Sequence, residues 1–179
     1  MTTYHHGDLR AAVLAAAAEM MEREGLAGLS VRKAARRAGV SHNAPYRHFP
    51  DRDALLAALA AEGFRELGKA LDGRSGREMG EAYVRFAREH PQRFRLMFGG
   101  QLALDRHGEL RAQAEATRER LAKAFAGLGA EASFAAAAAW SLVHGLAQLI
   151  LDGQLENNDE FVKNVLRAVR FAVGAQRSA

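Results

Sequence analysis

The sequence predicts an all-α protein, a three-helix head followed by a larger helical body, with about nine helices in total. Apolar residues recur at helical spacing almost from end to end, and only three prolines interrupt them. No stretch alternates apolar with polar residues as a half-buried strand does, and β-branched residues are sparse. At 179 residues the chain has room for one ordinary domain, or for a small head joined to a larger body.

The first helix is expected to begin near Asp8, whose carboxylate suits the free N–H groups of a helix start. It places Leu9, Val13, Ala16, Ala17, Met20 and Met21 on one face and stops at Gly25. After a short connector, Ser30 caps a second helix that carries Val31, Ala34, Ala35 and Ala38 and ends at Gly39. Lys33 occupies the position where a capping box has Glu, so the cap is single. Ser41 is expected to cap a short third helix ending before Pro50, with Pro45 inside its first turn, where a missing N–H costs little. Asp51 caps a fourth helix over residues 52–71, with Leu55, Leu56, Leu59, Phe64 and Leu67 facing inward. Residues 72–77 are the expected break in the chain, and further helices are expected near 78–89, 91–98, 110–128, 133–151 and 159–173.

Composition removes whole classes of chemistry. With no cysteine there is no disulfide, thiolate metal site or cysteine nucleophile. The pairs His5-His6 and His42/His48 lack the acidic company of a metal site, and no phosphate-binding glycine loop or serine nucleophile setting is visible. Neither cofactor nor metal nor catalytic residue is therefore expected. The net charge of +4 permits an acidic partner without identifying one. The N-terminus lacks an apolar core and cleavage site. The longest apolar stretch, 134–151, contains Ser141, His144 and Gln148 and reads as a buried helix rather than a membrane span. The expected location is the cytoplasm.

The informative stretch runs from Ser30 to Phe49. Two helices that cross steeply through a tight turn need small residues where their backbones approach, and Ala34, Ala35 and Ala38 provide them. Gly39 provides the left-handed turn residue, and Val40 fills the angle. From Ser30 to Arg52, six cations (Arg32, Lys33, Arg36, Arg37, Arg47, Arg52) accompany a single acid, Asp51. Exposed cations release counterions from a nucleic-acid duplex. His42, Asn43, Ala44, Arg47 and His48 are the available readers of base edges: Asn suits adenine, Arg guanine, and Ala44 a thymine methyl. Phe49 reads as core. Tyr46 reads equally as core or as a phosphate contact.

These residues resemble the DNA-binding head of the tetracycline-repressor (TetR) family over about residues 4–64. The resemblance rests on Leu29-Ser30-Val31, Ala34-Ala35, Ala38-Gly39-Val40-Ser41, Tyr46-Arg47-His48-Phe49 and Arg52-Asp53-Ala54-Leu55. The opening Tyr4-His-His-Gly-Asp-Leu-Arg10 is similar to one branch of the family, as are Trp140, His144-Gly145 and the run His90-Pro91 to Phe98 in the body. The resemblance implies a homodimer whose two heads read a palindromic DNA operator. It also implies phosphate contacts from Ser30, Tyr46 and Arg52, and base contacts from the segment Ser41 to His48. Asn43-Ala44 departs from the Gly or Thr common there and leaves the operator sequence open. The expected division is a helix-turn-helix DNA-binding domain at 1–52 and a regulatory and dimerisation domain at 53–179.

In the body, Phe161, Val162, Val165, Leu166, Val169, Ala172 and Val173 form an apolar stripe, and the helix from Ser133 is rich in alanine. The two helices, 133–151 and 159–173, fit either a dimer seam or an internal core; the resemblance favours the seam. Phe86, Phe94, Met97, Phe98, Leu121, Phe125, Trp140 and His144 are candidates to surround a small apolar effector, each also readable as core. A ligand-responsive repressor is the leading expectation. A DNA-binding architectural or protein-regulated factor without an effector is the alternative, and a helical enzyme is set aside.

Overall fold

The computed structural model describes residues 6–74 and 76–169. Its regular elements, in order, are α1 (His6–Glu24), α2 (Val31–Arg37), a 3-10 segment (Ala44–Arg47), α3 (Arg52–Leu71), α4 (Gly76–Glu89), α5 (Pro91–Phe98), a 3-10 segment (Leu104–Arg106), α6 (Gly108–Lys123), a 3-10 segment (Ala126–Glu131), α7 (Ala132–Leu151) and α8 (Asp159–Ala168). The all-α expectation holds. Eight α-helices stand among the described residues instead of about nine, because the reading segment closes as a 3-10 turn and not as a helix.

The chain divides into two compact units. One comprises Met1–Arg65 with His90–Ala114, the other Glu66–Glu89 with Glu115–Ala179. Of the three chain positions that separate them, two fall inside helices, α3 and α6, and the third between α4 and α5. α5 belongs with the N-terminal unit for specific reasons. The Glu22 carboxylate of α1 accepts from the backbone N–H groups of Gln92 and Arg93, both at 3.2 Å, and so caps the start of α5. Phe98 packs edge-on against Phe64 of α3 with ring centroids 5.2 Å apart. Gly63 permits that approach, since a Cβ there would lie 2.6 Å from Met97 Sδ and 3.0 Å from Arg93 Cγ.

Within this unit α1 buries Val13, Ala16, Ala17, Met20 and Met21 along one face, as the periodicity requires. It begins at His6, earlier than the expected Asp8 cap, so Asp8 falls in its first turn. In the other unit α4 packs against both α7 and α8. Val143, Leu146, Ala147 and Ile150 of α7, with Val162 and Leu166 of α8, form the buried side. Gly80 of α4 makes room for Leu166, whose Cδ1 would be 3.2 Å from an added Cβ. Asn158 caps α8 by accepting from the Phe161 N–H at 2.8 Å. The helix expected to reach 173 ends at Ala168, where Val169 turns to extended backbone; Ala172 and Val173 lie outside the described residues.

Ala126–Leu151 is long and apolar enough to cross a membrane by length and composition, and 28% of its most apolar 18-residue stretch is buried. Gly129, at φ 59° and ψ −125°, breaks it, so the continuous helix is α7. That helix is fastened to α4 by polar side chains as well as apolar ones, through Trp140 and His144.

Candidate nucleic-acid interface

The corner between α2 and the reading segment is built from local chemistry. Ser30, with extended backbone, accepts from the Lys33 N–H through Oγ at 3.2 Å and starts α2. Its hydroxyl proton stays available as a donor. α2 ends in a Schellman arrangement: Val40 N–H reaches the Ala35 carbonyl at 3.0 Å and Gly39 N–H the Arg36 carbonyl at 3.2 Å. Gly39 stands at φ 70°, which a residue with Cβ adopts only at a cost. Ala34 and Ala35 are fully buried, as close backbone approach demands, while Ala38 and Val40 are less so: Ala38 is half-buried and Val40 is half-buried beside it.

Pro45 lies in the first turn of the segment, as expected, but Ser41 does not cap it, and the reason is positional. If Ser41 were the cap, Pro45 would be the fourth helical residue, the first whose N–H bonds back to the cap carbonyl. Proline has no N–H, and its ring disfavours helical backbone at Ala44. The Ser41 carbonyl instead accepts from the Ala44 N–H at 3.2 Å, a three-residue closure. No side chain caps the segment Ala44–Arg47, and the Pro45 carbonyl accepts from both His48 and Phe49 N–H at 2.9 Å.

The candidate readers nonetheless stand together on one exposed surface. Ser41, His42, Asn43, Tyr46, Arg47 and His48 are exposed and Ala44 is half-buried. Tyr46 is 44% exposed, so it is no core residue, whereas Phe49 is 1% exposed beneath the Arg10 guanidinium, 5.8 Å from its ring centre. Of the six cations, all exposed, two are bonded within the protein. Arg37 pairs with Glu19 at 2.5 Å, a hydrogen bond that, with the Arg37 charge, holds the Glu19 carboxyl below its ordinary value. Arg52 donates through Nε to the Leu29 carbonyl at 3.0 Å and through a terminal nitrogen to the Leu26 carbonyl at 2.7 Å. Two of the Arg52 N–H groups thus clasp the α1–α2 connector. Arg32, Lys33, Arg36 and Arg47 remain exposed. Asp51 starts α3 as expected, accepting from the Ala54 N–H at 2.7 Å.

The effector candidates are distributed over both units. Phe94, Met97 and Phe98 lie in the N-terminal unit, where Phe94 and Phe98 pack at 4.9 Å. Phe86, Phe125, Trp140 and His144 lie in the other. There a residue that sequence reasoning misses, Tyr83, organises two of them. The Trp140 indole N–H donates to Tyr83 Oη at 3.1 Å, and Tyr83 Oη lies 3.0 Å from His144 Nδ1. Which of the two atoms donates in the Tyr83–His144 pair is set by the imidazole tautomer. Burial raises the Tyr83 pKa and lowers that of His144, so both are held neutral. The same unit carries an open cleft of about 490 Å³ lined by Asp72, Gly73, Arg74, Glu78, Glu81 and Arg85, a polar lining that includes none of the effector candidates. Among the described residues no group of His, Asp or Glu is placed to hold a metal ion.

A tight-cornered helix pair with exposed polar readers and surrounding cations defines a helix-turn-helix regulator. The family model described as bacterial regulatory proteins, tetR family, matches residues 13–59, and that described as tetracyclin repressor-like, C-terminal domain, matches residues 77–169. The chain belongs to the TetR family of DNA-binding transcription regulators, which act without catalysis. Among solved structures, a protein of unknown function from Rhodococcus sp. RHA1 is 35% identical, with 94% of each chain covered and a TM-score of 0.79. A TetR transcriptional regulator from the same organism is 20% identical, covering 97% of this chain and 100% of its own, with a TM-score of 0.67. A TetR variant from Acinetobacter baumannii AYE, in complex with minocycline, is 20% identical over 87% of this chain and 93% of its own, with a TM-score of 0.58. No curated protein matches the chain.

Proposed function

We propose that this regulator is a cytoplasmic repressor that reads a palindromic operator as a homodimer and releases it on binding a small apolar effector. The observation that carries the DNA reading is the exposed set Ser41, His42, Asn43, Tyr46, Arg47 and His48 beside the exposed cations Arg32, Lys33 and Arg36. In this reading Arg47 and Asn43 address base edges with Ala44, His42 and His48 beside them, while Ser30, Arg32 and Tyr46 hold phosphates. Functionally, residues 1–52 bind DNA and 53–179 regulate and dimerise.

The dimer seam is assigned to α7 and α8. α7 exposes Phe134 at 72% and Leu149 at 46%, with the small residues Ala137, Ala138 and Ser141 between them, which suits close helix contact with a second copy. Two-fold symmetry then places half-sites about one helical turn, roughly 34 Å, apart. The minocycline complex of one structural neighbour supports an effector site in the body. The effector-free alternative draws support from the distribution of the candidates over two units and from the internal bonding of Trp140 and His144 to Tyr83.

The experiment is selection of bound duplexes from a randomised pool, followed by titration with Arg47→Ala. The wild-type chain is expected to enrich one two-fold-symmetric site. The variant should bind it about 10- to 100-fold more weakly, matching roughly 1–3 kcal/mol for a bidentate base contact. Equal affinity and equal base preference in the variant would refute the reading surface. Thermal-shift screening of apolar metabolites tests the effector separately.

A further inference from the structure

We propose that Pro45 is a specificity-setting positioning residue, which fixes the reading segment as a 3-10 turn and so decides which side chains present together to the DNA groove. The proposal rests on the DNA reading. Its geometric basis is independent of that reading.

Proline at this position removes the hydrogen bond that would make the segment α-helical. The Ser41 carbonyl closes on Ala44 at 3.2 Å, Asn43 on Tyr46 at 3.4 Å, and Pro45 on His48 at 2.9 Å, each spanning three residues. Only the last closure, Pro45 to Phe49 at 2.9 Å, spans four. Pro45 itself is buried, while its neighbours on either side along the segment, Asn43, Tyr46, Arg47 and His48, are exposed. The ring is therefore turned inward as an anchor while the polar side chains face out.

The two helix types group those side chains differently. In a 3-10 turn, with about 3.0 residues per turn, residues three apart eclipse. Arg47 then stands over Ala44, and Tyr46 over Asn43. In an α-helix, with about 3.6 residues per turn, residues three and four apart are both neighbours, and Arg47 would stand near Asn43 as well as Ala44. The 3-10 form thus gives Arg47 a methyl as its neighbour and sets the Asn43 amide beside the Tyr46 phenol. The α form would place guanidinium and amide together on adjacent bases. One backbone N–H separates two distinct reading patterns.

The test uses the full-length dimer with Pro45→Ala and Pro45→Val, both of which restore the N–H; the valine keeps most of the buried volume. Each protein is put through duplex selection and through titration on the site chosen by the wild type. The expected result is a tenfold or greater loss on the wild-type site, a changed base preference at the positions sensitive to Arg47→Ala, and an unchanged salt slope, because phosphate contacts are retained. A purely structural role would weaken binding to every sequence alike and leave the preference unmoved. Variants that keep the wild-type preference overturn the proposal, as does failure of both to fold, which would make Pro45 a stability residue. A wild-type chain that enriches no site would instead overturn the DNA reading itself.

Discussion

The unit containing α1, α2 and the reading segment holds its candidate reading side chains at the surface and buries one charged side chain, Arg93, whereas the unit built on α4, α7 and α8 buries a hydrogen-bonded polar cluster and exposes Phe134 and Leu149. In the first, the interior is Val13, Met21, Ala34, Ala35, Phe49 and Leu55, while Asn43, Tyr46 and Arg47 project outward. In the second, Tyr83 is 1% exposed and bonded to Trp140 and His144, while Phe134 and Leu149 are exposed. A surface that meets a charged, hydrated duplex should carry groups that trade water for phosphate and base edges. A surface that meets another copy of itself gains from exposing carbon. The two units therefore answer to different perturbations, and the perturbations can be ranked.

The largest effect is expected from Phe49→Ala. Truncating a fully buried aromatic costs about 3–5 kcal/mol and here also removes the surface beneath Arg10. Operator binding should fail at ordinary temperatures. Trp140, the single tryptophan, lies in the other unit and reports on it alone. Its emission midpoint should move less than the far-ultraviolet midpoint. If both midpoints move together, the two units unfold as one cooperative body and differ in chemistry only.

Tyr83→Phe is the converse perturbation. It deletes the acceptor of the Trp140 N–H and the hydroxyl partner of His144 Nδ1 in a single step, at an expected cost of about 1–3 kcal/mol for buried polar groups deprived of a bond. The Trp140 midpoint should fall, and operator affinity measured well below that midpoint should stay within about twofold, an order-of-magnitude allowance for a change far from any base contact. A tenfold loss of operator binding would show that the Tyr83 cluster reaches the reading surface.

Arg52→Ala has a smaller effect, about 1 kcal/mol for two charge-assisted bonds on an exposed side chain. Its use is diagnostic. If Arg52 works as the clasp on Leu26 and Leu29, stability falls and the salt dependence of operator binding keeps its slope. If it works on a phosphate, the slope becomes shallower by about 0.9 for that one phosphate. Arg52→Lys should behave as the alanine variant does, because an ammonium cannot fork onto two carbonyls in fixed geometry.

What is legible in the sequence follows the range of each interaction. Ser30, Gly39 and Asp51 are legible because a cap or a left-handed turn is decided within three or four residues. The Ser41 cap is misplaced for a related reason: counted from Ser41, Pro45 is the fourth helical residue and forbids the α form, and counted from the observed start at Ala44 it lies in the first turn. Arg52 reads as a surface cation because nothing local shows that its partners are carbonyls 23 and 26 residues earlier. Tyr83 escapes notice altogether. It sits at ordinary apolar spacing on α4, and its partners are 57 and 61 residues away. The fold, the corner and the exposed readers are legible; the internal polar cluster and the placement of α5 through Glu22 are not, since both depend on long-range pairing.

The smallest expected effect is a pH dependence confined to the second unit. Burial lowers the His144 pKa below its ordinary 6.5, and its Nδ1 is paired with the Tyr83 hydroxyl. The unfolded chain therefore binds more protons than the folded one as pH drops below about 6.5. Stability from this group is fully present above that pH and declines as pH falls toward the folded value. His144 is the only histidine in Glu66–Glu89 and Glu115–Ala179, so no other imidazole contributes there. The paired carboxylate of Asp159, held low by Arg88, loses its contribution only as pH falls below its ordinary 3.8, outside the histidine window. Melting followed by Trp140 emission between about pH 7.5 and 5 should thus show a falling midpoint in the wild-type chain and a flatter line in His144→Asn, whose amide can still pair with the phenol without titrating. An equal slope in both proteins would assign the dependence to other groups and remove His144 from the account of why this interior is polar.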